Sequence, residues 1–225
     1  MKRFASGLNF YKLFWVFFCG CFLGVVLETI WCLLTRGHFE SRTGLVYGPF
    51  NLVYGFGALL MTVSLIWLSG KRDLYIFLAG SVLGAAFEYL CSYVQQTLFG
   101  TVSWDYSQFP LNFHGRVNLL YSLFWGLLAV LWVKDIYPFM SKRIERIPNS
   151  WGRSVTWILL VFMVVDVLVS AAAVGRMSAR NEGVAARNRV EQFLDTHYSD
   201  ERLNRIYPNM VYKEKEKKLE YQTEE

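Results

Sequence analysis

Apolar residues in this chain run on without the breaks of a soluble helix or strand. Five nearly uncharged stretches occur at 13–34, 50–69, 74–98, 117–136 and 155–176, and about 20 such residues are what a helix needs to cross a bilayer. The pattern predicts an all-α fold, a polytopic membrane helical bundle of five spans. A short N-terminus (1–12) precedes the first span, and polar segments at 35–49, 70–73 and 99–116 divide the first four. A longer basic loop, 137–154, leads to the fifth. Beyond 177 the period changes. Ala179, Gly183, Ala186, Val190, Phe193, Leu194 and His197 share one helical stripe, which predicts an amphipathic helix over 178–197 on the membrane surface or the protein's own outer face. Ser199 and Asp200 can cap a second short helix that Pro208 ends. The charged end, KEKEKKLEYQTEE, reads as disordered.

Composition agrees with a membrane chain: 54% of its 225 residues are hydrophobic and 18% are charged, against about 25% charged in a soluble domain. Lys2 and Arg3 before the first span imitate a secretory signal. The span is too long for one, lacks a small-residue cleavage site and contains Glu28, so it reads as retained. Cys19, Cys21, Cys32 and Cys91 all fall inside spans and read as small buried hydrophobes.

The cations are unevenly placed. Lys2, Arg3, Lys12, Lys71, Arg72 and the Lys134, Lys142, Arg143, Arg146, Arg153 group share one side, while 35–49 and 99–116 hold only Arg36, Arg42 and Arg116. The positive-inside rule then sets the N-terminus in the cytoplasm of a cell with the chain in its inner (plasma) membrane. Five spans put the tail outside, against the preference of Arg176, Arg180, Arg187 and Arg189.

Two motifs recur in the same order. GCFLGVVLE (20–28) matches GSVLGAAFE (80–88) as G-x-x-x-G-x-x-x-E, and Gly48-Asn51-Leu52-Tyr54 matches Gly115-Asn118-Leu119-Tyr121 as G-x-x-N-L-x-Y. The pair predicts a duplicated two-helix hairpin over 13–136, its copies parallel because each has an even number of spans. Residues four apart lie on one helix stripe, so Gly20, Gly24, Gly80 and Gly84 read as close-packing contacts, with Glu28 and Glu88 continuing the stripes toward protein.

A carboxylate at membrane depth costs about 2.5 kcal/mol or more and needs a partner, a proton or a water-filled cavity. Glu28 and Glu88 sit in the outer halves of their spans, and Asn51 and Asn118 open the following spans from that side, within reach of the glutamates or the outer loops. Two readings stand side by side. If the carboxylates approach each other, they share a proton or bind a cation. If Arg42 and Arg116 fold over them, the result is a structural clamp. The outer loops add His38, Glu40, Asp105 and His114 as ligand or ion-site candidates, with no paired ligand spacing, so no metal or other cofactor is expected. Asp166, in the fifth span, is a secondary candidate without a repeat counterpart.

The stretch GVVLETIWCLLTRGHFESRTGLVYGPFNLVYGFGA, with FEYL in the third span and NFHGRVNLLYSLFWG before the fourth, resembles the bacterial "putative ABC-transporter type IV" membrane family over roughly residues 13–138. The resemblance implies a permease that works with a separate ATPase. No G-x-x-x-x-G-K-[ST] loop is present, so ATP hydrolysis would come from a cytosolic partner at 134–154. Four duplicated spans are few for a conduction path, which implies a homodimer. Beyond the lipid bilayer and these, no nucleic-acid partner is expected. Two other functions compete: an outer-leaflet membrane enzyme, for which no nucleophile-and-base motif appears, and a membrane scaffold or sensor presenting the tail.

Overall fold

The structure is a computed structural model and describes residues 4–212. The charged end read as disordered, with Lys2 and Arg3, lies outside these. Helix dominates: α1 (Phe10–Arg36), α2 (Leu52–Leu65), α3 (Asp73–Phe99), α4 (Leu119–Leu131), α5 (Tyr137–Ile144), α6 (Asn149–Asn181), α7 (Arg189–His197) and α8 (Asp200–Ile206). The described strands are two-residue pieces, β1 (Thr101–Val102) with β4 (Val211–Tyr212) and β2 (Asn112–Phe113) with β3 (Val117–Asn118), each pair antiparallel.

Four of these helical runs, Phe10–Arg36, Asp73–Phe99, Leu119–Ile144 and Asn149–Asn181, are long and apolar enough to cross a bilayer. The second expected span is shorter. α2 and the tight turn that follows it end at Leu68, 17 residues in all. It is short because the preceding loop descends beside α1. Leu45 packs with Cys21 and Met163, and the Asn51 N–H donates to the Cys21 carbonyl at 3.1 Å.

The basic segment also differs from a loop. α4 continues through one wide turn (Trp132–Ile136) into α5. Only 145–148 separates α5 from α6. The wide turn swings the apolar face inward, so Trp132, Val133, Tyr137, Met140 and Ile144 join the core with Met61, Leu65 and Ile76. Polar clips fix this end. Lys12, fully buried, pairs with Glu145 at 2.7 Å and bonds Ser141. The indoles of Trp132 and Trp15 each donate at 2.9 Å, to Thr62 and Thr156 respectively.

Glycine stripes set the two hairpins. A Cβ on Gly20 would lie 2.8 Å from the Ala58 Cβ, and one on Gly24 would lie 2.3 Å from the Tyr54 ring. In the other hairpin a Cβ on Gly80 would lie 2.2 Å from the Ala129 Cβ, and one on Gly84 would lie 2.3 Å from the Trp125 ring. The facing helices contribute Gly55, against Cys21, and Gly126, against Ser81. Small residues therefore bring backbones together where lipid supplies no hydrophobic drive. Large apolar side chains such as Trp31, Leu34, Val82, Ile158 and Leu168 point away from the protein. A soluble chain does not expose such a surface.

The tail returns to the bundle. At about 1.5 Å per residue, the 33 residues of α6 outrun a hydrocarbon core of about 30 Å. The helix expected over 178–197 is broken at 182–188, where Gly183 takes a left-handed conformation (φ 76°). α7 and α8 then fold back, and β4 pairs with β1. The tail thus lies at the same end as the loops after α1 and α3.

Candidate functional site

The first hairpin carries an ionic cluster at its loop end. Arg42 turns back from the loop, with Nη1 3.5 Å from Glu28 Oε1 and Nη2 3.1 Å from Glu40 Oε2. Its Nε donates to Cys32 Sγ at 3.2 Å. Glu40 also receives Arg36 at 2.6 Å, and the exposed His38 ring stands 3.9 Å away. Glu28 is therefore a paired carboxylate.

The second hairpin is built differently. Glu88 is 7% exposed, and its Oε1 accepts from the Tyr106 hydroxyl at 2.8 Å. Its Oε2 is buried with no hydrogen-bond partner. Among the described residues no Lys, Arg or His forms an ion pair with it. Arg116 does not fold over Glu88 as the pairing reading expected. It donates to Ser92 at 3.0 Å and to Gln96, with its guanidinium over the Tyr89 and Tyr93 rings. The loop's hydrogen-bonded register decides this: β2–β3 and a left-handed His114 (φ 54°) aim Arg116 along α3. His114 meets the Tyr89 hydroxyl at 3.0 Å and stacks on Phe113, while Asp105 accepts from the Ser107 N–H at 2.9 Å.

Neither asparagine meets its glutamate; both cap helices and tie down their own loops. Asn51 Oδ1 accepts from the Val53 N–H at 3.0 Å while its Nδ2 donates to the Arg42 carbonyl at 3.1 Å. Asn118 Oδ1 accepts from Leu120 N–H, and its Nδ2 donates to the Pro110 carbonyl, both at 2.8 Å. Irregular backbone at membrane depth must be satisfied by protein groups. One amide that both accepts and donates serves that need where serine would serve half of it.

Tyr106 is the donor that holds Glu88. Its phenol is pushed above the ordinary tyrosine range first by burial, then by the Glu88 charge and hydrogen bond, by Tyr121 and by the Glu28 charge. It therefore stays a donor throughout neutral pH, and both carboxylates act on it. Its ring stacks on Tyr121 at 4.8 Å, and Trp125 lies beside Glu88. Tyr121 closes the recurring G-x-x-N-L-x-Y motif, whereas Tyr106 and Trp125 escape sequence reasoning because aromatics crowd the 99–125 region and no spacing marks these two.

Asp166 is almost wholly buried (1% exposed) in α6 and holds the first loop. Oδ1 accepts from the Tyr47 N–H at 3.1 Å and from Ser170, whose hydroxyl accepts from the Val46 N–H. The tail closes over this point. Tyr47 and Tyr198 share a hydroxyl hydrogen bond of 2.7 Å, and burial together with that bond pushes the Tyr198 phenol up to about 12. Ser41 donates to the Ile206 carbonyl, and Ser178 to that of Phe99. Arg176 grips Asp195 with two bonds of 2.8 and 2.9 Å, and Arg180 reaches Asp195 and Asp200. Two of the four arginines that opposed the expected topology are thus neutralised by the tail's own acids.

Long apolar helices with lipid-facing surfaces, backbones brought together by glycine and polar groups gathered inside one end define a multi-pass membrane protein. The family model described as "Putative ABC-transporter type IV" matches residues 15–171, and the chain belongs to that family. No curated protein and no solved structure matches it.

Proposed function

We propose that the chain is a permease-like membrane component of an ABC-type transporter, with its polar site in the outer half of a duplicated four-span core. The observation that carries this is Glu88, a carboxylate 7% exposed that is held by the Tyr106 hydroxyl at 2.8 Å and has no cation beside it among the described residues. Burying a carboxylate without a cation is costly in a membrane and is the usual mark of a substrate or ion path. Matching glycine contacts in the two hairpins support the duplication. α2, the second of the five spans, would be thin at one end because its loop descends.

In this reading the N-terminus and α5 face the cytoplasm and the tail lies outside with the two loops. The exposed cations of 134–154 would dock a separate ATPase, and a second copy would complete the conduction path. Arg176 and Arg180 are spent on the tail's own acids and Tyr198 is bonded to Tyr47 of the first loop, which weighs against the tail's serving as a free sensor.

Glu28→Gln and Glu88→Gln, singly and together, test the site through folded yield in detergent and a transport-linked growth phenotype. Normal yield with a lost phenotype supports it. Collapsed yield would make both acids structural, and unchanged yield and growth would end the transport reading through them. A charge reversal at Lys142, Arg143 and Arg146 should also abolish copurification of an ATP-binding subunit in mild detergent.

A further inference from the structure

The two hairpins treat equivalent acids in opposite ways, and the difference specifies a ligand. Glu28 carries its own cation, Arg42. Glu88 is more deeply buried, meets only neutral donors, Tyr106 at hydrogen-bond distance and Trp125 beside it, and keeps Oε2 without a close hydrogen-bond partner. The arginine that could have served it, Arg116, is committed to Ser92, Gln96 and two tyrosine rings. What surrounds the carboxylate instead is aromatic: Tyr106 bonded to it, Tyr121 stacked on Tyr106, and Trp125 beside it with Phe87 edge-on at 6.2 Å. Trp125 takes its place by lying against Gly84, where any side chain would collide with the ring.

We propose that Glu88, with Tyr106, Tyr121 and Trp125, binds the ammonium group of a small organic cation. This rests on the transport reading and names the substrate class for it. A carboxylate at membrane depth needs a partner, and a cation is the strongest one. Ring faces carry negative potential and attract ammonium groups, the more so where water is excluded. Divalent metal ions are poorly matched, since Ca²⁺ takes 6–8 oxygen ligands and one carboxylate with one phenol falls far short.

The test is ligand binding to the purified full-length protein in micelles, read by tryptophan fluorescence and by thermal unfolding. Tetramethylammonium chloride is titrated against sodium chloride at equal ionic strength and against neutral tert-butanol. Saturable binding and a raised melting temperature are expected with tetramethylammonium alone. Glu88→Gln should weaken it about tenfold or more, and Tyr121→Leu several-fold. Tyr121 lies toward the surface, so its variant stays informative if Glu88→Gln fails to fold. A response no larger than that to sodium, or undiminished in both variants, overturns the assignment. So does stabilisation that follows pH alone, which would give the site to a proton. Growth lost in Glu88→Gln without ammonium binding in the parent would leave transport standing and the cation refuted. Binding with normal growth of the glutamate variants would do the reverse.

Discussion

Gly80→Ala places one methyl group where the structure has least room for it. The added Cβ would lie 2.2 Å from the Ala129 Cβ, against the 3.5–4.0 Å at which carbons normally touch. Ala129 is fully buried and its Cβ is fixed to the backbone, so α3 and α4 must part by about 1.5 Å. Such overpacking costs about 1–3 kcal/mol, partly offset by up to about 1 kcal/mol of helix propensity gained over glycine. A net loss of about 1–2 kcal/mol is expected. Ala129→Gly alone should cost a similar amount, about 1 kcal/mol of propensity and about 0.8 kcal/mol for the methyl.

The double variant merely exchanges the methyl between helices. It should return to within about 0.5 kcal/mol of the parent, a coupling of about 3 kcal/mol in the cycle. Unfolding in detergent micelles measures it. Gly175→Ala in α6 is the control, because nothing lies within 4 Å of its Cβ, and it should be neutral or slightly stabilising. Gly20→Ala, 2.8 Å from Ala58, should be milder than Gly80→Ala. Additive losses in the double variant, or a neutral Gly80→Ala, would refute the close approach of α3 and α4.

Arg42→Ala should cost about 1–2 kcal/mol, a buried-pair loss discounted because Glu28 is about a third exposed, and adding Glu28→Gln should recover most of it in the same unfolding assay. Asn118→Ser should melt below the parent and Asn118→Ala lower still, since serine restores the cap but not the bond to Pro110, with about 1–2 kcal/mol between the extremes; equal melting of parent and both variants would deny the amide its double role. Arg176 and Arg180 hold the Asp195 carboxyl below its usual range, so this anchor is fully present above the ordinary carboxylate pKa of about 4 and is lost as pH falls through the depressed folded value. Hydrogen exchange of 189–197 should therefore stay slow down to about pH 4 and rise only below it, whereas release already at about pH 6 would contradict the anchor, and Asp195→Asn should loosen the segment at every pH.

The long helices were legible because an uninterrupted apolar run of about 20 residues has few other fates. The glycine stripes were legible for a similar reason: four-residue spacing fixes one face whatever the partner. What depends on loop geometry was not. Nothing in 45–51 announces that Leu45 will dive against Cys21 and Met163 and shorten α2. The two-residue β4, next to the charged end, gives no strand signal before it meets β1. Arg42 and Arg116 looked alike, and only the β2–β3 turn separates their destinations.

That separation has a structural origin in the hairpins themselves. The motif match equates Tyr54 with Tyr121, yet the residue against the second glycine of each stripe is Tyr54 in one hairpin and Trp125 in the other. Gly55 stands four residues after Asn51, whereas Gly126 stands eight after Asn118, so α4 reaches one turn further toward the loop end than α2 beyond an equivalent crossing. One turn is about 5.4 Å. In the first hairpin that missing turn lets the loop sink and brings Arg42 to Glu28. In the second the extra turn puts Tyr121 against Tyr106 at the level of Glu88 and keeps the loop, with Arg116, above it. A four-residue difference in helix start thus goes with an ion pair at Glu28 and leaves Glu88 without a cation.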